Sequence, residues 1–250
     1  LTRVFHEIME TLCGNDDTDD APGFKSIGRE RLDELQDSFG AEASTSFVQL
    51  VRRVMRKHAI RNREKDGDST ERTLARMTWN ALNTPIKIGD ETFFLRDIAA
   101  EDRRAEMEFV INEKALLGKR LPLLGGHERD GLFNGKIDLL VRPKGSERSV
   151  FVIDWKTNSL DTFDDEKVAE AMTAAGYDLQ YKLYSLAVSR WLGADRLGGV
   201  AYLFVRGGEH EGGQSGVFGS AMRAGFIEDC LTAVVEALPN GKKGDCNGDR

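Results

Sequence analysis

Two apolar segments, "GKIDLLV" at 135–141 and "SVFVIDWKT" at 149–157, limit the fold more than any other feature of the chain. Each is short, rich in aliphatic, β-branched or aromatic residues and bounded by Gly, Pro or charged positions, the pattern of a buried strand. "RPKGSE" between them carries turn residues, so the pair reads as a hairpin centred near Ser146. That centre sets Val141 against Phe151, Leu139 against Ile153 and Ile137 against Trp155, three pairs on one apolar face. On the other face Leu140 meets Val152, then Asp138 meets Asp154, with Lys156 one step beyond. Residues two apart in a strand project from the same face about 6.6 Å apart. Two acids and a lysine therefore converge at one end of the hairpin. Like charges opposite each other destabilise a sheet, and burying them unpaired is costly. A divalent cation is the simplest compensation, because hard ions such as Mg²⁺ take one or two carboxylates together with substrate phosphates and water. An isolated D-x-K would read as an ordinary ion pair; the second acid in register turns the reading toward a metal.

The rest of the chain supplies layers for this hairpin. "LTRVFHEIMETLCG" spaces Val4, Phe5, Ile8 and Leu12 as one helical face ending at Gly14, and its abrupt start suggests a piece of a longer chain. "NDDTDDAPGF" reads as an acidic loop, and 30–77 is mostly helical with breaks such as "EKDGDST". From "ETFFLRDI" onward the pattern turns to strands, continuing in "RRAEMEFVIN" and "GGVAYLFVRG". Helices "DEKVAEAMTAAG" and "YDLQYKLYSLAVSRWLG", broken at Gly176, cross between the last two strands, and "RAGFIEDCLTAVVEAL" forms a final helix. Strand, helical crossover and strand make an α/β core. The expected organisation is one domain over 1–238, with a helical part at 1–90, an α/β core at 91–238 and a flexible tail at 239–250.

Composition narrows the function classes. A formal net charge of −7 argues against a general polyanion-coating protein but leaves room for a local basic groove. Cys13, Cys230 and Cys246 are odd in number and widely spaced, so neither a disulfide framework nor a four-cysteine metal site is indicated. No apolar run reaches the roughly 18 residues of a membrane span and no signal-peptide pattern opens the chain, so a cytoplasmic setting without membrane contact is expected. No G-x-x-x-x-G-K-[ST] segment is present, so no P-loop ATP site is expected.

Two helical pairs complete the candidate site. His6 and Glu10 in "FHEIME" lie four apart on one helix face; a zinc-protease H-E-x-x-H is discounted because Glu10 stands where the second His belongs, leaving a surface contact or a ligand pair. Of the other histidines, His58, His127 and His210, none sits in a comparable constellation. Gln180 and Tyr184 in "YDLQYKLY" are also four apart, suited either to an ordinary amphipathic helix or to bonding a phosphate or a lysine.

In order, "H-x-x-x-E", "G-x-I-D", "D-W-K-T-N" and "Y-D-L-Q-x-x-x-Y" resemble the RecB-type nuclease domain, a branch of the PD-(D/E)XK nuclease superfamily. "AEMEF" at 105–109 and "GGVAYLFVRG" extend the likeness, and 15–100 is its least diagnostic part. The resemblance implies a restriction-endonuclease-like core, a mixed central sheet flanked by helices. It also implies a Mg²⁺-dependent exodeoxyribonuclease, with Mn²⁺ substituting and Ca²⁺ binding without supporting catalysis. By the same resemblance His6, Asp138, Asp154 and the Trp155 carbonyl hold the metal, Lys156 positions or deprotonates the attacking water, and Gln180 and Tyr184 support the site and contact DNA. Glu10 and Glu106 are secondary candidates. The implied partners are DNA, in particular linear DNA with single-stranded ends, RecC-like and RecD-like subunits, and the helicase part of a parent chain in double-strand-break repair and recombination. No proline precedes Asp138, which the RecB branch tolerates, and the four-cysteine iron–sulfur clasp of some relatives is absent. A non-catalytic DNA-binding or scaffolding module on the same fold is the alternative, and a restriction-type endonuclease a third reading.

Overall fold

The computed structural model describes residues 1–250 except 16–17, 19–20, 41–44, 66, 113–114, 117–131, 147–149, 209–215 and 238–250. His127, His210, Cys246 and the tail expected to be flexible at 239–250 lie outside the described residues.

The helical part comprises α1 (Thr2–Gly14), α2 (Phe24–Arg29), α3 (Leu32–Asp37), α4 (Ser46–Lys57) and α5 (Thr70–Asn83). Two small hairpins join it, β1 (Glu64–Lys65) with β2 (Asp68–Ser69) and β3 (Ile86–Ile88) with β4 (Glu91–Phe93). Thr45 caps α4 by accepting from the Val48 amide, and Ser69 caps α5 by accepting from Arg72. "ETFFLRDI", where the strand pattern begins, is a strand over β4, and a 3-10 turn at Leu95–Asp97 follows. Leu95 is buried in that turn, which packs on α2 and α5, so tertiary packing ends the strand after Phe93.

The main sheet is five-stranded and mixed, in the order β5 (Arg103–Asn112), β6 (Leu132–Val141), β7 (Val150–Lys156), β8 (Leu197–Phe204) and β9 (Val217–Ala221). Only β7 and β8 run parallel, joined through α6 (Asp165–Ala174) and α7 (Tyr177–Leu192). Helix α8 (Phe226–Ala237) packs on α7. Helices on a mixed sheet are the α/β architecture that the sequence pattern predicts. The apolar faces of α1, α4 and α5 share one core with Leu139, Phe151, Ile153, Trp155 and Leu203 of the sheet. Among the described residues no helix is long and apolar enough to cross a membrane.

The hairpin register holds for Val141–Phe151, Leu140–Val152 and Leu139–Ile153, and there the ladder stops. Two expectations are corrected. Ile137 does not share a face with Leu139 and Trp155; it packs with Tyr184 and Val188 under α7, while Trp155 packs edge-on to Phe5 of α1 with ring centroids 6.1 Å apart. Nor do Asp138 and Asp154 form a backbone pair: the Trp155 amide donates to Asp138 Oδ2 at 2.8 Å. The cause lies in the neighbouring strand pair. β5 and β6 stay in step from Arg103–Val141 to Asn112–Leu132, but the rung joining Glu106 to Asp138 is skipped, and Glu106 has φ +54°. Residues two apart normally share a face. Here Ala105 and Leu139 pack on the α1 side, whereas Met107 and Ile137 pack on the α7 side. Both strands thus change faces at one rung, and that rung carries two acids.

Candidate active site

α1 is amphipathic: Val4, Phe5, Ile8, Met9, Leu12 and Cys13 are buried, which leaves His6 on its flank, toward the end of β6. The helix is held by Arg103 at the start of β5, whose buried guanidinium donates to the carbonyls of Leu12 (3.4 Å), Cys13 (2.9 Å), Asn15 (3.0 Å) and Ile98 (2.9 Å). Three carbonyls at the end of α1, and that of Ile98, accept from one cation, satisfying acceptors that a helix leaves open. One strand therefore fixes both the helix bearing His6 and, three residues on, Glu106.

His6 Nδ1 lies 3.4 Å from Asp138 Oδ1 and 3.8 Å from Glu106 Oε1. These three residues can each offer one ligand atom, with all such atoms within 4.8 Å of one another. Burial lowers the His6 pKa, but its hydrogen bond to Asp138 and the charges of Asp138, Glu106 and Asp154 outweigh it, for a net rise. Asp154 is 2% exposed, and its carboxyl is pushed up to about 7, first by burial and then by the Asp138 charge, against the pull of Lys156 and His6.

α7 supplies the opposite wall. Gly176, at φ +69°, separates it from α6, and Tyr177, Gln180 and Tyr184 follow at i, i+3 and i+7 on one face. The Tyr184 hydroxyl donates to the Lys136 carbonyl (2.8 Å) and accepts from Gln180 Nε2 (3.0 Å). That leaves Gln180 Oε1 to accept from Lys156 Nζ at 3.0 Å. Burial pushes the Tyr184 hydroxyl up to about 12, so it stays protonated and a donor. Lys156, 8% exposed, also pairs with Asp154 and stands 3.9 Å from the centre of the Tyr177 ring and 4.8 Å from that of Tyr202.

All seven residues singled out from the sequence, His6, Asp138, Asp154, Trp155, Lys156, Gln180 and Tyr184, line a single cleft of about 600 Å³. Glu106 stands beside His6 and Asp138, held by an ion pair to Lys136, without lining the cleft itself, and Glu10 is exposed and apart from it. Sequence reasoning missed Tyr177 and Tyr202. Tyr177 was legible as the residue three before Gln180; Tyr202, inside an apolar strand, carried no signal. The donor set suits a divalent ion: two carboxylates, Glu106 and Asp138, converge with the His6 imidazole, and Asp154 lines the same cleft. His6 Nε2 is moreover buried and in no hydrogen bond among the described residues, whereas Asp154 Oδ1 has the Lys156 ammonium as its partner. Strand geometry points the Trp155 carbonyl to the same edge as its amide, toward Asp138.

Several known proteins resemble the chain over part of their length. The RecBCD enzyme subunit RecB of Escherichia coli is 33% identical over 160 residues, 53% of this chain and 13% of that protein. The same subunit of Haemophilus influenzae is 27% identical over 240 residues (85% and 19%), and that of Mycobacterium tuberculosis 31% over 178 (54% and 16%). The chain thus spans less than a fifth of each of these relatives. The profile of the PD-(D/E)XK nuclease superfamily matches residues 3–246, from the helix of His6 through the cleft and beyond α8, and the chain belongs to that superfamily.

Proposed function

We propose that the cleft hydrolyses DNA phosphodiester bonds with a divalent metal ion, Mg²⁺ in its working state. The observation that carries this reading is the convergence of Asp138, Asp154 and His6 with a lysine anchored on α7 in one cleft. His6, Asp138, Asp154 and the Trp155 carbonyl would hold the ion, with Glu106 beside them. A bound ion polarises the scissile phosphate and lowers the pKa of water. Lys156 Nζ directs one N–H to Gln180 Oε1 and one to Asp154, which leaves a third for the attacking water or the charge that grows on phosphate. Gln180 and Tyr184 position Lys156 against the Lys136 carbonyl and present amide and hydroxyl groups to the DNA backbone.

The RecB relatives support the finer reading: an exodeoxyribonuclease acting on linear DNA with single-stranded ends, joined to a helicase part and working with RecC-like and RecD-like subunits in cytoplasmic double-strand-break repair and recombination. Residues 1–238 would fold as one domain. Mn²⁺ is expected to substitute for Mg²⁺, and Ca²⁺ to bind without supporting cleavage. A scaffolding role is disfavoured because the full set of site residues is present in one cleft.

The test is digestion of linear, circular, single- and double-stranded DNA in Mg²⁺, Mn²⁺ and Ca²⁺. Asp154→Ala and Lys156→Ala should each lower cleavage by at least 10³-fold while circular dichroism stays unchanged, in line with the loss of a transition-state group. Undiminished cleavage by both purified variants would refute the site.

A further inference from the structure

A second concavity, of about 560 Å³, lies between the C-terminal half of α1 and the length of α4, with Thr11, Asn15, Gln49, Arg52, Arg53 and Arg56 among its walls. On α4 the spacing 49, 52, 53, 56 gathers one glutamine and three arginines on one helix face. Arginines at i,i+3 and i,i+4 repel one another by a few tenths of a kcal/mol per pair. Their neighbours are compensated: Arg52 pairs with Glu71, and Lys57 and His58 with Glu7. Arg53 and Arg56 are exposed, and neither has an ion pair or hydrogen bond among the described residues. The helix C-terminus offsets part of the charge of Arg56 but not that of Arg53, a turn earlier. In a chain of net charge −7, two uncompensated guanidiniums beside polar Asn15 and Gln49 make a site for an external anion.

We propose that this concavity binds the phosphate backbone of DNA as an anchoring site separate from the catalytic cleft. The identity of the anion as DNA rests on the deoxyribonuclease reading above. α1 is a wall of both sites: His6 faces the cleft, and Thr11, about 7.5 Å further along the helix axis, faces the concavity. Five residues turn the helix by about 140°, so the concavity lies round the flank of α1 from the cleft and would hold DNA outside the stretch that the cleft holds. The planar guanidinium fork suits bidentate contacts to phosphate.

The test compares Arg53→Ala/Arg56→Ala with the parent protein, both carrying Asp154→Ala and kept in EDTA, by fluorescence anisotropy of labelled DNA across a salt series. Removing two phosphate contacts should weaken binding about 10-fold at low salt and flatten the slope of log affinity against log salt by about 1 to 2. Arg53→Lys/Arg56→Lys should retain the parental slope. In the cleavage-competent protein, the rate at saturating DNA should not change. The binding measurement uses no cleavage, so it stands even where the nuclease reading fails. Equal affinity and slope in the alanine variant would overturn the proposal. That is the result expected if Asp16, Asp17, Asp19 and Asp20, between Asn15 and Ala21 in sequence, neutralise the pair instead.

Discussion

At the scale of one residue, Asp154 ties the stability of the fold to pH. The folded chain holds its proton up to about pH 7, whereas an ordinary carboxyl releases it near 3.8. Raising the pH from about 4 to about 7 therefore removes stability, because the folded state must give up a proton the unfolded chain has already lost. His6 acts in the same sense: its pKa is raised, so its contribution is present below 6.5 and is lost as pH rises through the folded value. Cation binding needs the carboxylates ionised and the imidazole neutral. Ca²⁺ should consequently raise the melting temperature several degrees more at pH 8 than at pH 5; equal rises would remove Asp154 and His6 from the ligand set. Lys156 offers a second prediction. The ring of Tyr177 lies 3.9 Å from its Nζ, a contact worth about 0.5–2 kcal/mol. Tyr177→Leu should lower kcat about 10-fold with little change in KM for DNA. Tyr177→Phe, which keeps the ring, should retain the parental rate, and a matching loss in both variants would assign the effect to the hydroxyl that contacts Asn158.

At the scale of elements, the skipped Glu106–Asp138 rung does the positioning. A non-glycine residue at φ +54° is uncommon and costs about 1–3 kcal/mol. It persists because packing on both sides of the sheet fixes Ala105 toward α1 and Met107 toward α7. Arg103, three residues earlier, ties this strand to the end of α1. Arg103→Met should destabilise the protein by about 2–4 kcal/mol, since it leaves buried carbonyls without donors. It should also lower cleavage, by loosening the helix that carries His6. An unfolding free energy from urea titration within about 1 kcal/mol of the parent would show that α1 is held by its apolar face alone. Strand β9 illustrates the opposite limit of sequence reading. "VFGSA" has little strand character because the β3–β4 hairpin crosses it: a Cβ at Gly219 would sit 2.6 Å from the Lys87 carbonyl oxygen. Close backbone approach dictates glycine there, and glycine hides the strand.

For the whole molecule, the decisive feature is that the helical part and the sheet share one core. Phe5 of α1 packs on Trp155 of β7, and the same cluster runs through α4, α5 and β8. Phe5→Ala should cost about 3–5 kcal/mol. Trp79 in α5 and Trp155 in β7 should report the same unfolding midpoint in single-tryptophan variants; two midpoints would split the chain near residue 90.

The sequence by itself determined the strands β5 to β8, the helices that cover them, the three hairpin pairs and seven of the residues that line the cleft. Each of these depends on periodicity, on turn chemistry or on motif residues close in sequence. Only the tertiary structure decided how the acids meet. The parting of β6 from β7 sends the Trp155 amide to the Asp138 side chain, and the shared face change of β5 and β6 brings Glu106 into the site. Tyr177 and Tyr202 likewise enclose Lys156 only because α7 and β8 pack against β7. These features arise from competition between neighbouring strands for one backbone edge and from packing on both sheet faces. Pairwise register and residue type do not encode either.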